Sequence, residues 1–193
     1  IKNRYVPKMS EDCLYLNIWK PRGQQKKLPV VFYIHGGSLT TGQAWWEDYN
    51  GESYAKNNVI FVNFSYRLGA LGFYADENLA SESPNGTTGM YGFLDQVKAL
   101  DWVRANIEKF GGDPDNITIA GESAGSSSVN AMCTSPLAKG KFKYAISESS
   151  SITAKNPPHS YIDIKTAIKQ GKSLRDELGA KNPKELRKIS AED

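Results

Sequence analysis

Short apolar runs alternate along this chain with longer segments whose apolar residues recur at helical spacing. The runs predict five strands: residues 13–19, 29–34, 59–64, 117–120 and 143–148. Those at 29–34 and 59–64 are nearly continuous in apolar residues and rich in Val, Ile and Phe. Such runs are typical of strands that are buried on both faces of a parallel sheet.

Helical periodicity is clearest in residues 92–109. Five apolar side chains recur there at spacings of three and four: Phe93, Val97, Leu100, Val103 and Ile107. Three further helices are predicted, from Ser123 to before Pro136, over 161–178 and over 183–189. The polar segment 76–90 predicts a long loop. Strands that alternate with helices predict an α/β fold, with a mainly parallel sheet and helices on both faces.

Composition and charge narrow the classes of function. The chain has 193 residues, of which 39% are hydrophobic and 11% aromatic, enough for a packed core. No run approaches the ~20 apolar residues of a membrane helix, so no membrane span is expected. The net charge is +3, and residues 155–193 hold nine Lys or Arg against six Asp or Glu. This surplus is too sparse for a nucleic-acid surface, so no nucleic-acid partner is expected.

Cys13 and Cys133 are far apart in sequence and neither has a histidine nearby, so no metal site is expected. Sequence alone does not decide whether they form a disulfide. The first residues carry no signal-peptide pattern, and both a cytoplasmic and a secreted location stay open.

Residues 121–125 (GESAG) carry the strongest chemical signal. They follow the predicted strand 117–120 and precede a predicted helix, which is the setting of a nucleophile elbow. A sharp turn there would lift Ser123 clear of the sheet, where a substrate carbonyl can reach its Oγ, and we expect strained backbone dihedrals at this residue. The alternative is a chance match in a loop. Glu122 has two interpretations, an acid at the start of a helix or a charge that tunes the site.

Residues 34–38 (IHGGS) directly follow the predicted strand 29–34 and resemble an oxyanion loop. Glycines leave backbone N–H groups open to a substrate oxygen, and each such donor is typically worth ~3 kcal/mol in the transition state. We assign the N–H groups of Gly37, Ser38 and Ala124 to an oxyanion hole near Ser123, with Gly36 as a supporting residue. An ordinary glycine turn is the alternative.

The two histidines are not expected to act as the general base. His35 lies at the end of the oxyanion strand, where we expect it to orient the loop by a hydrogen bond. His159 lies in a proline-rich turn without an adjacent carboxylate to orient it.

Several segments resemble those of the type-B carboxylesterase and cholinesterase family of α/β-hydrolases. They are residues 11–21 (EDCLYLNIWKP), 66–73 (YRLGALGF), 94–96 (LDQ), and 110–116 (FGGDPDN) running into GESAG. The resemblance covers nearly the whole chain. It implies a Ser–acid–His triad that hydrolyses carboxylic esters through an acyl-enzyme without a cofactor. It also implies that Ser123 is the nucleophile and that Ser149 lies near the triad.

The resemblance has three departures that bear on the site. The family often has Gly or Ala where Ser38 stands, which preserves a backbone donor, and usually an aromatic where Leu39 stands, which implies a different acyl pocket. The family's acid and histidine come long after the nucleophile, whereas 70 residues follow Ser123 here. We therefore expect residues 1–193 to be part of one α/β-hydrolase domain that lacks the first strands and the C-terminal portion.

These sequence features leave two candidate functions. In the first, the chain is the nucleophile-bearing portion of a carboxylic-ester hydrolase, is inactive alone, and has the remaining portion of the same protein as its partner. In the second, it belongs to a non-catalytic cholinesterase-like adhesion or binding domain. Such relatives tend to lose the nucleophile, so the intact Ser123 favours the esterase.

Overall fold

The computed structural model describes residues 10–23, 26–150 and 161–191. Five strands form one sheet in the order β1-β3-β2-β4-β5. They are β1 Leu16–Trp19, β2 Leu28–Ile34, β3 Ile60–Phe64, β4 Gly112–Glu122 and β5 Tyr144–Glu148. β1 pairs with β3 antiparallel, and all other pairs are parallel. The mainly parallel sheet predicted from the alternation of elements is confirmed.

In the described part of the chain, seven α-helices accompany the sheet. They are α1 Glu52–Lys56, α2 Gly69–Phe73, α3 Glu77–Glu82, α4 Tyr91–Asn106, α5 Ala124–Thr134, α6 Ile164–Glu177 and α7 Pro183–Leu186. The prediction of a loop over 76–90 is wrong for its first half, which forms α3. The Asp76 side chain accepts a hydrogen bond from the Asn78 N–H at 2.8 Å and caps that helix. Within the described ranges no helix is long and apolar enough to span a membrane.

The main core lies on one face of the sheet. Alternate residues of β2 point to this face, and Val30, Phe32 and Ile34 are fully buried there. Helices α4 and α5 cover the face with Leu100, Val103, Val129 and Met132, which belong to the same apolar cluster. The junction of β4 and α5, which carries Ser123, is thus built directly on the core.

Aromatic side chains occupy the opposite face. Tyr54 of α1 stacks on Phe61 of β3 with ring centroids 4.6 Å apart, and Trp19 of β1 meets the same ring edge-on at 5.8 Å. Tyr33 of β2 packs between Phe61 and Tyr49. Helices therefore lie on both faces of the sheet, as predicted.

Polar contacts fix the elements around the junction. Arg67 forms a paired salt bridge to Asp95 of α4, with both N–O distances 2.7 Å. The buried Gln96 side chain donates to Ser128 Oγ at 3.1 Å and joins α4 to α5. Cys13 and Cys133 are both free thiols, which settles the question that the sequence left open.

Candidate active site

Ser123 is the single residue between β4 and α5. Its backbone has φ 55° and ψ −120°, a combination that residues with a side chain rarely adopt. Such strain typically costs about 1–3 kcal/mol and persists only where the surroundings impose it. The Ser123 N–H donates to the Glu148 carbonyl at the end of β5 at 2.9 Å. The predicted strained strand-to-helix turn is confirmed.

Two glycines make this turn sterically feasible. A Cβ on Gly125 would lie 2.0 Å from the Ile34 carbonyl oxygen, and one on Gly121 would lie 2.5 Å from the Gly125 carbonyl. The first turn of α5 therefore touches the backbone of β2 as well as that of β4. A side chain at either position would push the helix away from the sheet and displace Ser123.

The predicted oxyanion loop lies beside the elbow. Because β2 and β4 are parallel neighbours, with Ile34 opposite Gly121, the segments that follow them emerge at the same end of the sheet. A Cβ built on Gly36 would lie 3.2 Å from Ser123 Cβ. The structure thus places Gly36, at the start of this loop, next to Ser123.

Three backbone N–H groups are assigned to the oxyanion hole. Among the described residues, no acceptor is bonded to the N–H of Gly37, Ser38 or Ala124. Ala124 is the first residue of α5, so its N–H has no acceptor within the helix, and the helix dipole favours negative charge there. Ser38 and Leu39 have φ 56° and 61°, so two residues with side chains hold a left-handed backbone in this loop.

His35 is enclosed under the loop. It is 1% exposed and its ring stacks on Tyr66, with centroids 4.4 Å apart. Its Nδ1 donates to the Gly36 carbonyl at 2.8 Å, which confirms the predicted loop-orienting bond. Burial lowers the pKa of His35, against a smaller opposing effect of the Gly36 bond. His159 lies outside the described residues.

Glu122 and Ser149 frame the site at the ends of β4 and β5. Glu122 is the last residue of β4 and precedes the helix cap, so its interpretation as a helix-start acid is wrong. It lies opposite Glu148 in the register. Burial raises the pKa of Tyr33 to about 12, and Tyr49, Glu122 and Glu148 add to this shift. Ser149 directly follows β5 with φ 58°.

Sequence reasoning missed contacts that support the site. The Tyr66 hydroxyl donates to the His35 carbonyl at 2.8 Å in the core. Ser126 and Ser147 share a hydrogen bond of 2.6 Å between α5 and β5. Tyr66 stands in the YRLGALGF segment, which is the one signal that could have identified it. Neither serine carried such a signal.

The described residues contain no group of three or more His, Cys, Asp or Glu side chains that could hold a metal ion. The site contains a serine hydroxyl, a helix N-terminus and N–H groups that have no bonded acceptor among the described residues. These are the parts that acyl transfer uses to attack a carbonyl and to stabilise the resulting oxyanion.

Comparison with known proteins decides the family. The model of the carboxylesterase family matches residues 2–186. This chain belongs to the carboxylesterase family. Among carboxylesterase relatives, the fumonisin B1 esterase of Sphingopyxis macrogoltabida is 48% identical over 141 residues, or 72% of this chain and 26% of the relative. The para-nitrobenzyl esterase of Bacillus subtilis is 46% identical over 145 residues, or 75% of this chain and 29% of the relative.

Solved carboxylesterase structures share the fold. The carboxylesterase of Geobacillus stearothermophilus superimposes with a TM-score of 0.81 at 40% identity. The superposition covers 95% of this chain and 38% of the Geobacillus chain. The predicted α/β-hydrolase fold is therefore confirmed. The chain spans about a quarter of the length of the curated relatives it matches.

Proposed function

We propose that this chain is the nucleophile-bearing portion of a serine carboxylic-ester hydrolase that acts through an acyl-enzyme. The observation that carries the proposal is Ser123, held in a strained turn at the N-terminus of α5 and next to the Gly36–Gly37 loop. The substrate class is a small-molecule carboxylic ester, and the chemistry needs no cofactor.

In the proposed reaction, Ser123 Oγ attacks the ester carbonyl while a general base takes the hydroxyl proton. The carbonyl oxygen becomes an oxyanion and is stabilised by the N–H groups of Gly37, Ser38 and Ala124. Collapse of this intermediate breaks the ester C–O bond, and the base returns its proton to the leaving alcohol. Water, activated by the same base, then releases the acid and regenerates Ser123.

We propose that the general base and its orienting carboxylate come from the remaining portion of the same protein. His35 is enclosed in the core and its Nδ1 is bonded to a backbone carbonyl, which disfavours it as the base. Support also comes from length, since the relatives are about four times longer than the matched segment.

The exposure of strand β5 independently supports the proposal that another portion of the protein packs against this chain. Its five residues are all exposed, and they include Tyr144 at 53% and Ile146 at 47%. Among the described residues no strand pairs with its outer edge. An open edge with apolar side chains favours association, and we propose that the remaining portion covers it.

A fluorophosphonate probe tests the proposed function on the full-length protein. Phosphonylation of Ser123, identified by peptide mass spectrometry and abolished in Ser123→Ala, is the expected result. Ser127→Ala is the matched control, because Ser127 lies one turn further along α5 and labelling should persist. A folded full-length protein that resists the probe would support the adhesion-domain alternative instead.

A further inference from the structure

Two consecutive carbonyls of the oxyanion loop point into one turn, residues 40–42. The Gly36 carbonyl accepts from His35 Nδ1 and would lie 2.7 Å from a Cβ placed on Gly42. The Gly37 carbonyl accepts from the backbone N–H groups of Thr40 and Thr41, each at 3.0 Å. Both carbonyls therefore face the same side of the loop.

The direction of these carbonyls fixes the direction of the candidate donors. In a trans peptide the N–H points opposite to the C=O of the same unit. The Gly37 N–H and the Ser38 N–H therefore both point away from the 40–42 turn, and both are unbonded among the described residues. Contacts that fix the Gly37 carbonyl therefore also fix the direction of the Ser38 N–H.

Two hydroxyl groups strengthen the hold on the Gly37 carbonyl. Thr40 Oγ1 lies 3.3 Å and Thr41 Oγ1 3.2 Å from the Gly37 oxygen, in addition to the two N–H donors. The loop needs such support because Ser38 and Leu39 both hold a left-handed backbone that their side chains disfavour. Without the hydroxyls, only the N–H groups of Thr40 and Thr41 would hold the Gly37–Ser38 peptide, which carries one of the candidate donors.

We propose that Thr40 and Thr41 are positioning residues for ester hydrolysis, whose hydroxyls lock the Gly37–Ser38 peptide with the Ser38 N–H turned toward the reacting oxygen. This inference rests on the proposed function. Neither threonine contacts the substrate in this role. Their effect should therefore appear in the stability of the oxyanion and leave ground-state binding of the ester unchanged.

The test compares three forms of the full-length enzyme: wild type, the double variant Thr40→Val/Thr41→Val, and the double variant Thr40→Ser/Thr41→Ser. Valine keeps the branched shape without the hydroxyl, and serine keeps the hydroxyl. Each kcat is normalised to active sites titrated with a fluorophosphonate, so unfolded protein does not count. Thr134→Val is the matched control, because its hydroxyl also bonds backbone carbonyls but at the far end of α5.

We expect kcat of the valine double variant to fall about tenfold, the change that follows from weakening one oxyanion donor, with KM unchanged. Affinity for a trifluoromethyl ketone, which forms an oxyanion on the serine, should fall by the same factor. The serine double variant should recover most of both, and Thr134→Val should match wild type.

Two outcomes overturn the inference in distinguishable ways. A valine double variant with kcat and ketone affinity within about twofold of wild type would show that the hydroxyls do not position the donor, while the proposed function stands. A wild-type enzyme without Ser123-dependent turnover would remove the proposed function, and the inference with it.

Discussion

Strands β4 and β5 lie side by side in the same direction, yet their surroundings differ sharply. Ile117 and Ile119 of β4 are fully buried in the core, whereas all five residues of β5 are exposed. β4 has a neighbour on each edge, and β5 has one only on the β4 side among the described residues. Both strands nevertheless hold Ser123, β4 through the chain and β5 through the Glu148 carbonyl.

This contrast separates the elbow, which this chain encloses by itself, from β5, which this chain leaves exposed. The elbow is enclosed by the backbone of β2, by α5 and by the main core, so its geometry is determined locally. β5 contributes hydrogen bonds but little buried apolar area, and burial is the larger source of stability. We therefore expect substitutions on the β4 side to be costly and equivalent ones on the β5 side to be tolerated.

The largest expected effect is that of Gly125→Ala. Its Cβ would lie 2.0 Å from the Ile34 carbonyl oxygen, and this backbone cannot move without separating α5 from β2. We expect a loss of about 3–5 kcal/mol in the free energy of unfolding, measured by urea denaturation. The control is Gly140→Ala, just before β5, where no atom lies within 4 Å and only the φ of 73° opposes a side chain. Similar losses at both positions would contradict the contrast.

A pair of isoleucines tests burial directly. Ile119→Ala in β4 removes a fully buried side chain, and we expect a loss of about 2–5 kcal/mol in unfolding free energy. Ile146→Ala in β5 removes a side chain that is 47% exposed, and the loss should be below about 1 kcal/mol. In the full-length protein the cost of Ile146→Ala should rise, if the remaining portion covers β5. An equal cost in both proteins would argue against that cover.

The strain at Ser123 predicts a smaller effect of opposite sign. Glycine adopts φ 55° without a steric penalty, whereas alanine retains the penalty that serine has. Ser123→Gly should therefore be about 1 kcal/mol more stable than Ser123→Ala, as seen in their melting temperatures, while neither variant reacts with a fluorophosphonate. Equal stability would show that the turn is relaxed.

The last expected effect concerns His35 and the pH dependence of stability. Burial lowers the pKa of His35 in the folded chain, whereas the unfolded chain takes up a proton near pH 6.5. The folded state therefore loses stability as the pH falls from about 6.5 toward the folded pKa, by at most about 1.4 kcal/mol per pH unit for one proton. Urea titrations between pH 7.5 and 5 should show this decrease, and His35→Gln should reduce its slope. An unchanged slope would show that another group is responsible.

The sequence predicted the central elements well because their signals are local. Continuous apolar runs identified β2 and β3, and the stripe in 92–109 identified α4, whose last turn tightens into a 3₁₀ helix at Ile107–Phe110. Short helices such as α3 were not predicted, because six residues are too few for a periodic pattern. Its cap, Asp76, was the one available signal, but capping residues are also common in loops.

The candidate site likewise has features that the sequence predicted and features that it did not. GESAG and IHGGS are contiguous in sequence, so their glycines and Ser123 could be singled out without coordinates. The bonds from Thr40 and Thr41 to the Gly37 carbonyl depend on the path of a left-handed loop, which no pattern of residue types encodes. The enclosure of His35 by Tyr66 likewise arises from packing between distant segments.

The central claim is that this chain holds the nucleophile and the oxyanion donors while the general base comes from the remaining portion of the protein. Hydrolysis of p-nitrophenyl acetate by the purified 193-residue chain, with and without that portion, tests it most directly. We predict no turnover above the Ser123→Ala background for the chain alone, and Ser123-dependent turnover once the remaining portion is added. Turnover by the chain alone that disappears in Ser123→Ala would contradict the claim, because it would place a working base within these 193 residues.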